Sequence, residues 1–185
     1  MKKYFTSDWH LNDDRIGVDG KPNLFYRPFD SVHSQNVAIL NGFKYSGFQD
    51  GDHLYHLGDV FYNFDEHGYM VMKMIRERYP KSTFTLIKGN YDDNRVVNLM
   101  PFFDDIYVDK TIIIKDKEYY LNHYPVNCIE KEFSLTGHIH GLWKVQKNMI
   151  NVGVDAWHFR PISEDQIDFC RTAIEKYYNN NVFPY

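Results

Sequence analysis

The sequence predicts a mixed α/β architecture from three observations. Strand-like apolar runs alternate with helix-spaced ones through the first half, hairpin-linked runs fill the second half, and short polar segments follow the carboxyl ends of the strand-like runs. Tyr4-Phe5-Thr6 is the first strand and leads into Asp8-Trp9-His10. Residues 12–30, with Gly17, Gly20, Pro22 and Pro28, form either a long loop over the mouth of a site or a solvated excursion. Asp30 caps a first helix running to residue 43, in which Val37, Leu40 and Phe43 recur near helical spacing. Leu54-Tyr55-His56-Leu57 is the second strand. A second helix over 67–78 places Met70, Val71, Met74 and Ile75 on one face and ends before Pro80. Phe84-Thr85-Leu86-Ile87 is the third strand, and a short helix follows Asp92 or Asp93, reaches residue 99 and stops before Pro101. Thr111-Ile112-Ile113-Ile114 and Tyr119-Tyr120-Leu121 flank Lys115-Asp116-Lys117-Glu118 as a hairpin, and Phe133-Ser134-Leu135-Thr136 adds a further strand. Ser163-Glu164-Asp165-Gln166 is a capping box that starts a last helix with the stripe Ile167, Cys170, Ile174 and Tyr177.

At 185 residues the chain can bury a substantial core but is too short for two ordinary domains, so one domain over 1–185 is expected. The 15 Tyr and 14 Phe belong in that core or around a site. A net charge of −4 argues against a broad basic surface, so extended nucleic-acid binding is not expected, while local phosphate contacts remain compatible. Cys128 and Cys170 are too few for a disulfide framework and fit a reducing compartment; both read as buried apolar side chains. No sustained apolar segment follows Met1-Lys2-Lys3, so neither signal peptide nor membrane span is expected, and the expected location is cytoplasmic. No heptad or stripe assigns an oligomeric state.

Five segments carry the chemistry: Asp8-Trp9-His10, Gly58-Asp59, Gly89-Asn90-Tyr91-Asp92, His123 in Leu121-Asn122-His123-Tyr124-Pro125, and Gly137-His138-Ile139-His140-Gly141. Each follows a strand-like run, and groups just past the carboxyl ends of strands converge on one crevice in sheets with helical crossovers. Two carboxylates, one carboxamide and four imidazoles, with no thiolate, suit a borderline or hard divalent metal. Seven groups are too many for one ion. If one carboxylate bridges, they supply four to each of two ions and leave room for water and substrate; Asp59, central in the order, is the natural bridge. The other reading of each segment is a turn: Asp8 and His10 after an edge strand, Gly89-Asn90 as a tight turn, which is also compatible with ligation.

In this order the segments resemble the calcineurin-like metallophosphoesterases, whose motifs run D-x-H, GD, GNHD, H and GH-x-H, and the likeness spans Asp8 to Gly141. The resemblance implies a four-layer sandwich of two facing mixed sheets flanked by helices. It further implies a first metal held by Asp8, His10, Asp59 and His140, and a second by Asp59, Asn90, His123 and His138. The ions would be two of Mn, Fe, Zn, Ni or Co. One position departs: Tyr91 stands where the family has the histidine credited with assisting the leaving group.

The expected activity is hydrolysis of a phosphate ester by a hydroxide held between the two ions. Asn90, Tyr91, Asp92 and His123 form the candidate catalytic set, with Asp92 orienting bound groups rather than ligating. The leading reading is a phosphodiesterase acting on a nucleotide-like or other small diester, and the alternative is a phosphomonoesterase. Retention of all seven ligands argues against a non-catalytic binding module. Arg27 is a candidate phosphate contact, with a structural ion pair as its other reading, and His158 a candidate pocket-lining residue. His56 is expected to be a hydrogen-bonded core histidine, His53 and His67 surface residues, and Asp13 and Asp14 a solvated pair.

Overall fold

The computed structural model describes residues 1–16 and 27–179, so most of the long loop predicted over 12–30 lies outside the described residues. The first sheet is built from β1 (Lys3–Thr6), β2 (His53–His56), β3 (Thr83–Ile87) and β4 (Asp105–Tyr107), parallel to one another in that order. The register sets Thr6 beside His56 and His56 beside Leu86, so the three leading strands end level. A fifth strand, β10 (Ile162–Ser163), pairs antiparallel with β1 on its free edge. The second sheet has the order β5-β6-β7-β9-β8, from β5 (Asp109–Ile114), β6 (Lys117–Asn122), β7 (Ser134–Thr136), β8 (Val145–Gln146) and β9 (Met149–Asn151). Its β6, β7 and β9 run parallel, with antiparallel β5 and β8 at the edges. This is the expected architecture of two mixed sheets flanked by helices.

Crossover helices cover the first sheet. The α1 helix (Val32–Ser46) and the α2 helix (Glu66–Arg78) bury Ile39, Phe43, Val71, Met72 and Ile75 against Tyr4, Leu54, Phe84 and Leu86. Alternate strand residues face the other way: Phe5, Tyr55 and Ile87 join Ile112, Tyr119, Leu121, Leu135 and Ile150 of the second sheet in another cluster. The α4 helix (Glu164–Tyr177) adds Ile167 and Ile174 to that cluster and starts at the Ser163 capping box, as its sequence predicted. A 3-10 turn (Asp93–Arg95) leads into the short α3 helix (Val96–Leu99).

Several helix details differ from expectation. The α1 cap is Ser31, whose hydroxyl and backbone N–H exchange hydrogen bonds with Ser34; Asp30 sits one residue outside and accepts from both hydroxyls. With Gly68 against the Phe61 ring, α2 turns Val71, Met72 and Ile75 inward and leaves Met70 and Met74 exposed. In α4 the stripe is Ile167, Arg171 and Ile174, while Tyr177 is exposed, because the Arg171 guanidinium lies over the Tyr119 and Phe133 rings. Among the described residues no helix is long and apolar enough to cross a membrane.

Candidate metal centre

All five motif segments lie at the carboxyl ends of parallel strands. Asp8 and His10 follow β1, Asp59 follows β2, Asn90 and Asp92 follow β3, His123 follows β6, and His138 and His140 follow β7. The sheets meet there: Ser7 bridges in parallel to Gly153, which lies just past β9, and Val154 N donates to the Ser7 carbonyl at 3.1 Å. Five of the candidate ligands have left-handed backbones, with φ of 58° at Asp8, 44° at His10, 60° at Asp59, 72° at His138 and 49° at His140. Such conformations cost of order 1–3 kcal/mol per non-glycine residue and persist where surrounding structure over-determines them. Trp9 turns the opposite way into the core, its indole donating to Thr6 Oγ1 at 2.8 Å, and so anchors the segment between its two candidate ligands.

Two groups of donor atoms result. Asp8, His10 and His140 offer atoms within 4.8 Å of one another, and so do Asp59, His123 and His138. Asp59 lies between them: its Oδ2 is 3.5 Å from His10 Nε2 and 3.4 Å from His123 Nε2. The close approach depends on glycines, among them Gly58, Gly89 and Gly137. A Cβ on Gly58, which has φ +93°, would lie 2.5 Å from His123 Nδ1, and one on Gly137 would lie 2.5 Å from Ser7 Oγ and 2.8 Å from Asp8 Oδ2.

Outer contacts fix the ring orientations. His123 Nδ1 donates to the Leu57 carbonyl at 2.6 Å and His140 Nδ1 to Asp155 Oδ2 at 2.8 Å, so in both rings Nε2 is the nitrogen directed at the cluster. Asp8 accepts from Ser7 Oγ at 2.5 Å and from the His138 backbone N–H at 3.1 Å. The buried Asp92 carboxylate takes the backbone N–H groups of Asp59 at 2.8 Å, Val60 at 3.1 Å and Gly89 at 2.9 Å, pinning the loops after β2 and β3 together. Tyr91 N donates to Asp59 Oδ1 at 3.0 Å.

The electrostatics fit a cation. Complete burial pushes the Asp8 carboxyl above its ordinary range, and burial with the nearby Arg27 charge holds His10 well below its own. Burial would also lower His123, but the Asp59 carboxylate, 3.4 Å from its Nε2, together with the Asp8 charge pushes it up to about 9. A field that draws a proton onto an imbedded imidazole also favours a divalent ion there. The donor set, two carboxylates and imidazole nitrogens without thiolate, all buried except the exposed His138, suits Mn, Fe, Zn, Ni or Co. Burial raises Asp92 to about 6 despite its three amide partners.

The remaining expectations divide. Asn90 lies exposed in the turn after β3. Tyr91 packs edge-on to His10, with centroids 4.9 Å apart, and against Tyr62 at 5.5 Å, so it borders the first group. Asp92 is directed at backbone amides and orients the loops. Arg27 is not a phosphate contact: its guanidinium is buried and all five N–H groups go to protein acceptors, namely Asp155, Gln35 and the Asp8 and Trp9 carbonyls. His158 is exposed and lines a shallow depression with Pro28, Phe29, Tyr45 and Arg160, outside both donor groups. His56 is buried as expected, but neither ring nitrogen has a hydrogen-bond partner among the described residues; it packs edge-on against Trp9 at 4.6 Å. Asp13 is buried and forks with Arg15 at 2.6 and 2.7 Å rather than standing in solvent; Asp14 is exposed.

Sequence reasoning missed Asp155, Gln35 and Asn151. Asn151 Nδ2 donates to the His140 carbonyl at 2.6 Å and to that of Trp143 at 2.8 Å, and its Oδ1 accepts from Gly153 N at 2.8 Å. Asp155 alone had a readable signal, a carboxylate just beyond the last motif.

No family model matches the chain, and no curated protein matches it. Among solved structures, a protein of unknown function from Aquifex aeolicus shares the fold, with a TM-score of 0.67 and 24% identity over 91% of this chain and 98% of that one. A phosphoesterase from E. coli aligns at TM-score 0.48 and 17% identity over 83% of this chain and 78% of its own. The Pseudomonas putida nuclease MPE aligns at 0.48 and 17% over 75% of this chain and 60% of its own.

Proposed function

We propose that this chain is a two-metal phosphoesterase that hydrolyses small or nucleotide-like phosphodiesters. The observation that carries the reading is the meeting of two Asp/His groups at one carboxylate oxygen, Asp59 Oδ2, with His10 on one side and His123 on the other. Asp8, His10, Asp59 and His140 would hold one ion; Asp59, Asn90, His123 and His138 the other. When bound, two divalent ions polarise phosphoryl oxygens and lower the pKa of water toward neutrality. The protein's own part is to keep the donors in place: Asp92 locks the turns that carry Asp59 and Asn90, and Leu57 and Asp155 fix the His123 and His140 rings.

The preference for diesters follows from Tyr91. With the Tyr91 phenol beside His10, the site has no imidazole at that position to protonate a departing oxygen near neutral pH. Leaving groups that are already acidic need that proton least. The test is kcat/KM with Mn2+ across aryl phosphodiesters and matched monoesters, with and without chelator. Rates should rise with leaving-group acidity, favour diesters and vanish on chelation, and Tyr91→His should improve poor leaving groups most. A monoester preference makes the protein a phosphomonoesterase; absence of hydrolysis with both ions bound makes it a binding module.

A further inference from the structure

Three consecutive carbonyls of the Asp8-Trp9-His10 turn are each received by a side chain from outside it. Arg27 Nη2 donates to the Asp8 carbonyl, Arg27 Nη1 to that of Trp9 at 2.9 Å, and Gln35 Nε2 to that of His10 at 3.0 Å. Arg27 Nη1 also donates to Gln35 Oε1 at 2.8 Å, so the two side chains form one plate beneath the turn. Asp8 and His10 are both left-handed there, a conformation that must be held from outside. The other Arg27 donors, on Nε and Nη2, fork onto the two Asp155 oxygens at 2.8 and 2.9 Å, and Asp155 accepts from His140 Nδ1. Burial opposes charge on Asp155, but the His140 hydrogen bond and the Arg27 guanidinium hold its carboxyl below the usual range. One guanidinium therefore reaches all three members of the Asp8–His10–His140 group: Asp8 directly, His10 through the Gln35 amide and His140 through the Asp155 carboxylate. The other group is braced differently, by the Leu57 carbonyl on His123 and by Tyr91 N and the Asp92 clamp around Asp59.

We propose that Arg27 is a positioning residue chiefly for one half of the centre, setting the affinity of Asp8, His10 and His140 for their ion far more than that of Asp59, His123 and His138 for theirs, which the His10 N–H on the Asp59 carbonyl and the His138 N–H on Asp8 join to it. This rests on the metal-binding reading above. Losing an outer partner of a ligand typically weakens a metal about 10–100-fold, and lysine cannot reproduce a five-donor planar fork.

The test is equilibrium dialysis of the full chain against Mn2+, with electron paramagnetic resonance to separate a coupled ion pair from a single ion. The wild type should bind two ions. Arg27→Gln and Arg27→Lys should keep one near wild-type affinity and weaken the other about 10–100-fold, replacing the coupled signal by that of an isolated ion. Asp155→Asn should weaken the same ion, and it decides the matter if the Arg27 variants do not fold. A merely structural role would weaken both ions together, and that result, or two ions retained unchanged, overturns the proposal. A wild type that binds no Mn2+ overturns the metal reading and this inference with it.

Discussion

Asp92 shows how much one side chain can carry without touching a reacting group. Its two oxygens receive three buried amides, from Asp59, Val60 and Gly89, so truncation strands three donors where water cannot replace the carboxylate. Leaving buried polar groups unpaired costs about 1–3 kcal/mol each, although some relaxation is usual. Asp92→Ala should therefore lose about 3 kcal/mol in urea unfolding and should also weaken metal binding, because the turn bearing Asp59 is no longer fixed. A loss under about 0.5 kcal/mol, the size of an ordinary surface substitution, would show that these bonds do not hold the turn. The spacing after β3 revealed that a carboxylate belonged here but not what it faced. Arg27 takes the ion-pair reading of the two its sequence left open: a guanidinium suits phosphate and carboxylate equally, and the partner Asp155, 128 residues away, could not be named in advance. His56 shows a further limit, since its burial was readable while its setting was not: it packs against Trp9 and Phe103, and its ring nitrogens have no hydrogen-bond partner among the described residues.

Among the elements, strands with long apolar runs and helices with marked caps were legible: β1, β2, β3, β6, α2 and α4 lie close to where periodicity and capping put them. The strands that escaped, β4, β8, β9 and β10, have two or three residues each, too few for alternation to show. They are also what completes the sheet edges, so the second sheet came from resemblance and not from pattern. The β5–β6 hairpin was foreseen with a four-residue turn, but Ile114 pairs with Lys117 and only Lys115 and Asp116 turn, both left-handed at φ 46° and 68°. That is the two-residue turn which favours Asn-Gly. Replacing Lys115 by Asn and Asp116 by Gly should raise stability by about 1 kcal/mol, since glycine carries no steric penalty at positive φ. Lys115 also pairs with Asp165 and Asp168, but across exposed surface where such pairs contribute little. A lower urea midpoint in the double variant would mean that those pairs outweigh the backbone strain.

At the scale of the whole molecule, the candidate centre lies on the seam between the sheets. One Asp/His group joins the loop after β1 to that after β7, and the other joins the loops after β2, β6 and β7, so each spans both sheets. Besides these groups, the seam is closed by the apolar cluster shared by the two sheets and by the Ser7–Gly153 bridge with its Val154 N–H. Binding to the folded state alone stabilises it by roughly 2.7 kcal/mol at one hundred times Kd. For a chain of this size each kcal/mol moves the melting temperature by roughly 2–4 °C. One saturated ion should therefore raise Tm by roughly 5–11 °C, and the second should add more as its concentration passes its own Kd. Asp59→Asn should lose most of the metal-induced rise, because its Oδ2 lies beside both groups. Calorimetry in chelator and in saturating Mn2+ measures both quantities. Equal melting temperatures in the two conditions for the wild type would show that no ion binds the folded chain, and a full metal-induced rise in Asp59→Asn would overturn the proposal that Asp59 serves both ions.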